Sequence, residues 1–456
     1  MKNHISRVFW FTLFIVLFLG ALHYLPSLSI EGHTLRRVNI LSDILKEEPE
    51  TEPDDTLQLP PPVKPEFVDT CKTGMTCIED YADSTQRGMS RFYAALSNIQ
   101  HMDRPVRIAY FGDSFIEADI LTGDLRSMLQ THFGGQGVGY IDITSQTYGF
   151  RPTVKHSFGG WKSHAITDSI YFNRKRQGIS CRYFIPNEHA YVEAKGQTSY
   201  ASHLDSWELN SIYFETGDEL LLRSIVNGRD TSDHYLSGEE GLQKIEVNGK
   251  TERIRWTIDL ATDSTTFYGI AMESRQGISL DNFGLRSSSG LSLRSIPMSR
   301  LKQFNRLRPY DLIVLQYGLN VATQKGYNYD NYQKGLLSAI EYLKEAFPEA
   351  GILLISVGDR AYKTEDGEMR TMPGIKNLIR YQQYTAAKAG IAFWNLYEAM
   401  GGEGSIEKMV HATPPQANLD YTHINFKGGK HLAGILYETL LYGKEQYDKR
   451  RAYEQE

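Results

Sequence analysis

The chain has little of what several protein classes require. It holds three cysteines in 456 residues, at Cys71, Cys77 and Cys181, and their spacing with the histidines offers no zinc pattern. Its glycine-rich run "FGGQGVG" (Phe133 to Gly139) lacks the Gly-Lys-Ser/Thr ending of a phosphate loop, so it reads as a turn. No stripe of Lys and Arg stands out and the formal net charge is −6, so no nucleic-acid partner is expected. The one long apolar run is "VFWFTLFIVLFLGAL" (Val8 to Leu22), interrupted only by Thr12.

Lys2 and Arg7 flank that run, and no acidic residue appears before Glu31. The pattern is that of a signal peptide or a single membrane anchor. Extended to Leu25 across His23, it approaches the length that spans a bilayer. No small-x-small cleavage site follows it, and no nearby Cys can take a lipid. We therefore read residues 1–30 as a cytoplasmic tip and uncleaved anchor, although Arg36 and Arg37 oppose that orientation. Either way the remainder is expected to be exported, to the periplasm or outside the membrane. For "CKTGMTC" two readings then stay open, a short disulfide loop or two free thiols.

What is present suits a globular protein. Hydrophobic residues make up 41% and charged residues 23%, enough apolar material for a sizeable core in two or three domains. Residues 31–66 include the acidic, proline-rich "KEEPETEPDDTLQLPPPVKPEF", read as an extended tether. Strands are expected at Val106–Phe111, Leu312–Gln316, Ile352–Val357 and Ile391–Asn395. Helical periodicity appears at Ile78–Ile99, from Ile116 to Leu129, and at Tyr332–Phe347, Ile375–Ala389 and Lys427–Leu441. That alternation predicts an α/β domain with a parallel sheet, in two parts at 67–153 and 275–456. Between them, 154–274 reads as an inserted all-β sandwich. Asn248-Gly249 is a strong signal there for a two-residue hairpin turn. The insertion is expected to be a separate module whose removal spares turnover of a small ester.

Three short stretches carry possible chemistry. "GDS" (Gly112 to Ser114) places a serine where a buried strand passes into a helical pattern. Its N–H there would face developing negative charge at a helix N-terminus. "DYTH" (Asp420 to His423) can bring a carboxylate to an imidazole. "GLN" (Gly318 to Asn320) follows another buried strand and can offer a side-chain N–H. A serine attacks an ester only with a base, a carboxylate that fixes the base's tautomer, and donors for the oxyanion. Alone, each stretch is more often a turn or a surface pair; together they flank strands of one sheet. Asp113 is read as ordering its turn, and Asp119 as capping or pairing locally. His132, His156, His164, His411 and His431 are read as surface or satisfied groups. Trp161, Trp207 and Trp256 could stack on sugars, but core packing is the commoner use.

"YFGDSFIEAD", the glycine of "LDNFGLRSSSG", "QYGLN" and "DYTHINFKGG" resemble the four sequence blocks of the SGNH (GDSL) hydrolases, over about Val106 to Leu441. The longer run "GDSFIEADILTGDLRSMLQTHFGGQGVGYI" resembles the branch of bacterial peptidoglycan O-acetylesterases, which carry a β-sandwich resembling a carbohydrate-binding module. The resemblance implies an SGNH-hydrolase-like, flavodoxin-like fold and assigns roles by position. Ser114 matches the nucleophile, His423 the base and Asp420 its partner. The N–H groups of Ser114 and Gly284 and the side chain of Asn320 match the oxyanion donors, with Gly290 a nearby competitor for Gly284. Phe115 and Val321 depart from residues common in relatives. No metal or cofactor is implied.

The expected function is an exported, membrane-anchored serine acetylesterase of the cell envelope acting on O-acetylated glycan, peptidoglycan first. The alternative is a glycan O-acetyltransferase using the same triad with a membrane acyltransferase partner as acetyl donor. A non-catalytic glycan-binding protein would lack one of Ser114, Asn320 or His423.

Overall fold

A parallel sheet needs strands apolar on both faces, and the computed structural model forms one from such segments. It describes residues 4–23, 29–30, 33–34, 67–82, 88–168 and 172–455. The chain divides into two units, Met1–Glu66 and Phe67–Glu456.

In the first unit, His4–His23 is one helix. Its segment His4–Ala21 is long and apolar enough to cross a membrane, as a signal sequence near an N-terminus also is. Thr12 returns its hydroxyl to Val8 O (2.9 Å), which satisfies the one polar group in the run. Apart from His33–Thr34, paired with Ser29–Ile30, the expected tether lies outside the described residues.

In the second unit, five strands run parallel: β1 (Val106–Gly112), β2 (Ile278–Gly284), β3 (Leu312–Gln316), β4 (Gly351–Ile355) and β5 (Ala392–Trp394). Their order is β2-β1-β3-β4-β5, and β1, β3, β4 and β5 are buried throughout. The helices used below are α1 (Thr122–Phe133), α2 (Asp330–Ala346), α3 (Gly374–Ala389) and α4 (Phe426–Gln455).

Of the helix expected over Ile78–Ile99, in which 83–87 lie outside the described residues, the described part holds an α-helix at Ser90–Ser97. Glu79–Asp80 instead forms a short antiparallel edge strand against β5. Asp80 then accepts the N–H of Met89 (2.8 Å), just ahead of the helix. A tertiary pairing overrides the helical spacing here. Close by, Cys71 and Cys77 form a disulfide, while Cys181 is free and buried.

The inserted part is all β. Its eight described strands and Gly139–Asp142 share one hydrogen-bonded network, whose two halves meet at a single pair, Phe267 with Phe184 of the long strand Arg182–Lys195. Trp207, Phe214 and Phe267 share a core with Leu222, Trp256 and Ile258, distinct from the core of the parallel sheet. The sheet takes in Gly139–Asp142, which pairs with Thr266–Glu273 ahead of the expected boundary at Val154. The Asn248-Gly249 hairpin does not form. Glu239–Thr251 runs through that dipeptide with an irregularity and pairs with Trp207–Thr216, whereas Arg253–Leu260 pairs with Arg182–Lys195 and Leu220–Val226. The local turn signal yields to partners elsewhere in the sheet.

A buried ionic network fastens the insertion to the parallel sheet. Glu273, at the end of an inserted strand, accepts from Arg107 of β1 (2.7 Å) and from Arg308 (2.9 Å). Arg308 also binds Asp281 of β2 (2.6 Å), which accepts from Tyr310 (2.7 Å) and from the backbone of Tyr140 (2.7 Å). Burial alone would raise the Glu273 carboxyl, but the two guanidiniums hold it well below the usual range. Removing one partner strands the remaining charges in the interior. Arg308→Ala should therefore lower unfolding free energy by about 3–5 kcal/mol, read from urea denaturation. A loss below roughly 1 kcal/mol, as at a surface pair, would show that the network is not what joins the two parts.

Candidate functional site

β1 ends at Gly112, in register with Gly284 of β2 and Gln316 of β3. The chain then turns sharply. Asp113 is extended, and its Oδ1 accepts the N–H of Phe115 (3.0 Å), capping a 3-10 turn at Ser114–Asp119. Ser114 opens that turn, so its own N–H has no partner within it. The α-helix expected directly after Ser114 begins only at Thr122. Ala118 and Asp119 take left-handed φ values of 51° and 63° and break the path between them. The helix-dipole contribution expected at Ser114 is thereby lost, because the macrodipole acts only within the first turn of its helix.

Asp119 explains the break. It is fully buried and binds more than its neighbourhood. It accepts from Arg126 (3.1 Å), Arg151 (2.7 Å), Thr122 (2.8 Å), Thr153 (2.5 Å) and Asn282 (3.1 Å). Burial works against its charge, but the two guanidiniums hold its carboxyl far below the ordinary range.

His423 reaches the serine from the loop before α4. Asp420 Oδ1 accepts the N–H groups of Thr422 and His423 (3.0 Å each), which folds the loop back on itself. Asp420 Oδ2 lies 2.7 Å from His423 Nδ1, and His423 Nε2 lies 3.0 Å from Ser114 Oγ. A carboxylate can only accept, so the proton sits on Nδ1 and Nε2 is left as an acceptor towards the serine. Part-burial raises the Asp420 carboxyl, but the bonds from His423 and Thr422 more than offset this and hold it below its ordinary value. The following "KGG" has a steric reason. A Cβ on Gly429 would fall 1.8 Å from Ile120 O, and one on Gly428 2.0 Å from Gln416 O. Only glycine lets α4 start this close to the chain leaving the nucleophile's turn.

The structure thus brings together Ser114, Asp420 and His423, as expected. Asn320 stands after β3, and its Nδ2 donates to Ser288 O (3.0 Å), which orients the amide and leaves one further hydrogen. Gly284 does not keep its expected donor. Its N–H goes to Asn282 Oδ1 (2.8 Å), because Asn282 is anchored by Ile116 O (2.7 Å) and Thr122 (2.6 Å). The N–H of Gly290 is likewise taken, by Ser288 Oγ (3.2 Å). Asn282 was not singled out in the sequence; its only mark there is its position two residues ahead of the second-block glycine.

The remaining candidates have other partners. His156 is buried and donates its Nε2–H to Ile143 O (3.1 Å); burial pushes its pKa down to about 3. His132 pairs with Tyr437 and His411 with Tyr421, each at 3.1 Å. Trp207 and Trp256 are core, and Trp161 donates to Tyr191 O (2.7 Å). Among the described residues no group of three or more His, Cys, Asp or Glu lies together to hold a metal.

Asp113 gives a pH test of the capped turn. Burial raises its carboxyl from 3.8 to about 6, against the N–H of Phe115. Between those values the unfolded chain has released this proton and the folded chain keeps it. Stability therefore falls as pH rises from 3.8 through 6, by roughly 3 kcal/mol in all. In Asp113→Asn that fall should be absent, so the difference between variant and parent should change by that amount across the range, read as denaturation midpoints from pH 4 to pH 7. A difference that stays constant across this range would remove Asp113 as the titrating group.

No known protein-family pattern matches the chain, and no curated protein matches it. Among solved structures, a peptidoglycan O-acetylesterase superposes with a TM-score of 0.65 over 81% of this chain and 99% of its own, at 19% identity. A putative GDSL-like lipase from Parabacteroides merdae (TM-score 0.28, 16% identity, 36% of this chain and 74% of its own) is far less similar. So is a family two carbohydrate esterase from Clostridium thermocellum (0.25, 10%, 56% and 93%). At those TM-scores neither bears on the fold. The resemblance to the SGNH hydrolases in the four sequence blocks is thus accompanied by a three-dimensional fold that this chain shares with a solved peptidoglycan O-acetylesterase.

Proposed function

We propose that this protein is a serine esterase that removes O-acetyl groups from a cell-envelope glycan, peptidoglycan first, through an acyl-Ser114 intermediate. The observation that carries the reading is the unbroken hydrogen-bonded series from Ser114 Oγ through His423 to Asp420. In the proposed reaction His423 Nε2 takes the Ser114 proton as Oγ attacks the acetyl carbonyl. The negative charge that develops on the carbonyl oxygen faces Ser114 N–H and the remaining hydrogen of Asn320 Nδ2. His423 returns the proton to the departing sugar oxygen. Water, activated by the same imidazole, then releases acetate and restores the serine.

Exposure favours water as the second acceptor. The side chains of His423 and Asp420 are 38% and 48% exposed, whereas transfer to a sugar hydroxyl has to exclude competing water. An open triad also suits an ester on a polymer, which no deep pocket could enclose. An N-terminal helix able to cross a membrane supports a place at the envelope.

The deciding experiment is acetate release from O-acetylated peptidoglycan, with an unacetylated glycan acceptor present or absent. Free acetate in both arms is expected; newly acetylated acceptor would replace hydrolysis by transfer. Ser114→Ala should abolish acetate release and labelling by a serine-directed inhibitor. Stoichiometric labelling of that variant would move the nucleophile elsewhere. Asn320→Ala should lower kcat by roughly 10²–10³-fold with little change in KM. Wild-type kcat in that variant would reduce Asn320 to a turn residue.

A further inference from the structure

A cavity lies against the nucleophile's turn, with none of Ser114, Asp420 and His423 in its lining. Its volume is about 200 Å³, room for a single sugar ring. On one side it is bounded by Glu117 of the nucleophile's turn and by Gly284 at the end of β2. On the other it is bounded by Thr144, Ser163 and Thr167, the last two in the inserted β part. Arg182, on the long inserted strand, donates to Gly284 O (3.3 Å) and so fixes the two sides to each other.

The cations on this cavity are already matched, and one further carboxylate on its lining, Asp168, accepts the N–H of Ala165 (2.7 Å). Arg182 pairs with Asp142 (2.8 Å), Arg286 with Glu117 (2.9 Å) and Arg151 with Asp119 (2.7 Å). No unmatched cation invites a carboxylate or a phosphate. What remains for a ligand is a set of hydroxyls that can donate or accept, including the Thr144–Ser163 pair (2.7 Å). The loop that supplies Thr144 and Thr147 continues to Tyr148 and Phe150, which are 55% and 45% exposed. Exposed rings beside a polar cavity offer apolar faces for the C–H side of a pyranose.

We propose that this cavity is a sugar subsite, which holds one neutral pyranose ring of the glycan while a neighbouring sugar presents its ester to Ser114. This rests on the esterase reading for its purpose, but not for its test. The inserted β part is then one wall of the substrate groove rather than a remote tether.

The test is direct binding. The full chain is titrated calorimetrically with the neutral, ester-free disaccharide of β-1,4-linked N-acetylglucosamine, which involves no turnover. Millimolar-range binding is expected. Ser163→Trp fills the cavity and should weaken it tenfold or more. Thr167→Trp, at an exposed position on the same wall, does the same should the first variant fail to fold by circular dichroism. No binding by the parent chain, or equal binding by a folded filled variant, overturns the subsite. Acetate release is measured separately. Acetate release with unaltered disaccharide binding in the variants leaves the esterase standing and removes the subsite. Disaccharide binding lost on filling, without acetate release from any glycan ester, keeps the subsite and removes the esterase.

Discussion

The geometry at Ser114 depends on one buried carboxylate. The backbone reaches Asp119 through two left-handed residues, each costing about 1–2 kcal/mol where a Cβ is present. Bonds from Arg126, Arg151, Thr122, Thr153 and Asn282 offset that cost. These donors belong to α1, to the chain entering the insertion and to β2. A single group therefore locks a turn, a helix and a strand together. A nucleophile needs this kind of support, because a hydroxyl on a loose loop would not hold hydrogen-bond distance to its base. Neither guanidinium is dispensable, since each matches part of a charge that water cannot reach.

The same logic makes the inserted part integral to the fold. Glu273 comes from the insertion, yet its two guanidinium partners belong to β1 and to the chain entering β3. Arg182 reaches across to the carbonyl of Gly284. The β part has a core of its own, which is why its strands read as a separate module. Its charged residues tell the opposite story. Excising it would leave Arg107 without its carboxylate and Arg308 with only Asp281, within the sheet that carries the triad. The sparing of small-ester turnover expected of a detachable module does not fit that arrangement.

What the sequence made legible is what short-range chemistry determines. Four of the five parallel strands are largely apolar runs, whereas β2, with Ser279, Asp281 and Asn282, gave no such run; α2 and α3 begin and end within two residues of their periodic stripes. Asp420 and His423 are three residues apart, so one tight turn suffices to join them. The misread elements involve distant partners. The stripe from Ile116 to Leu129 counted apolar positions and could not register that Asp119 would be held by Arg151. Asn248-Gly249 has the chemistry of a hairpin turn, but the strands on either side find better partners. Glu79–Asp80 sits in a helical pattern and is captured by the free edge of β5. Gly284 was found by position, but whether its N–H is available is decided by the side chain of Asn282.

The loss of Gly284 as a donor bears on which bond such a site can break. In the proposed reaction two donors face the oxyanion, Ser114 N–H and Asn320 Nδ2. One donor of this kind is worth about 2.7–4 kcal/mol in the transition state. An alkoxide leaves a tetrahedral intermediate far more readily than an amide nitrogen does. An ester can therefore be turned over with a sparser set of donors than an amide needs. Where a glycan carries O-acyl and N-acyl groups on neighbouring carbons, shape distinguishes them poorly, because both present the same acetyl carbonyl. In the proposed reaction, a hole of two donors would separate them by reactivity instead. Asn282 then has two consequences. Its amide donates to Ile116 O and holds the end of β2 against the nucleophile's turn, and its oxygen accepts the Gly284 N–H, which would otherwise help the harder reaction.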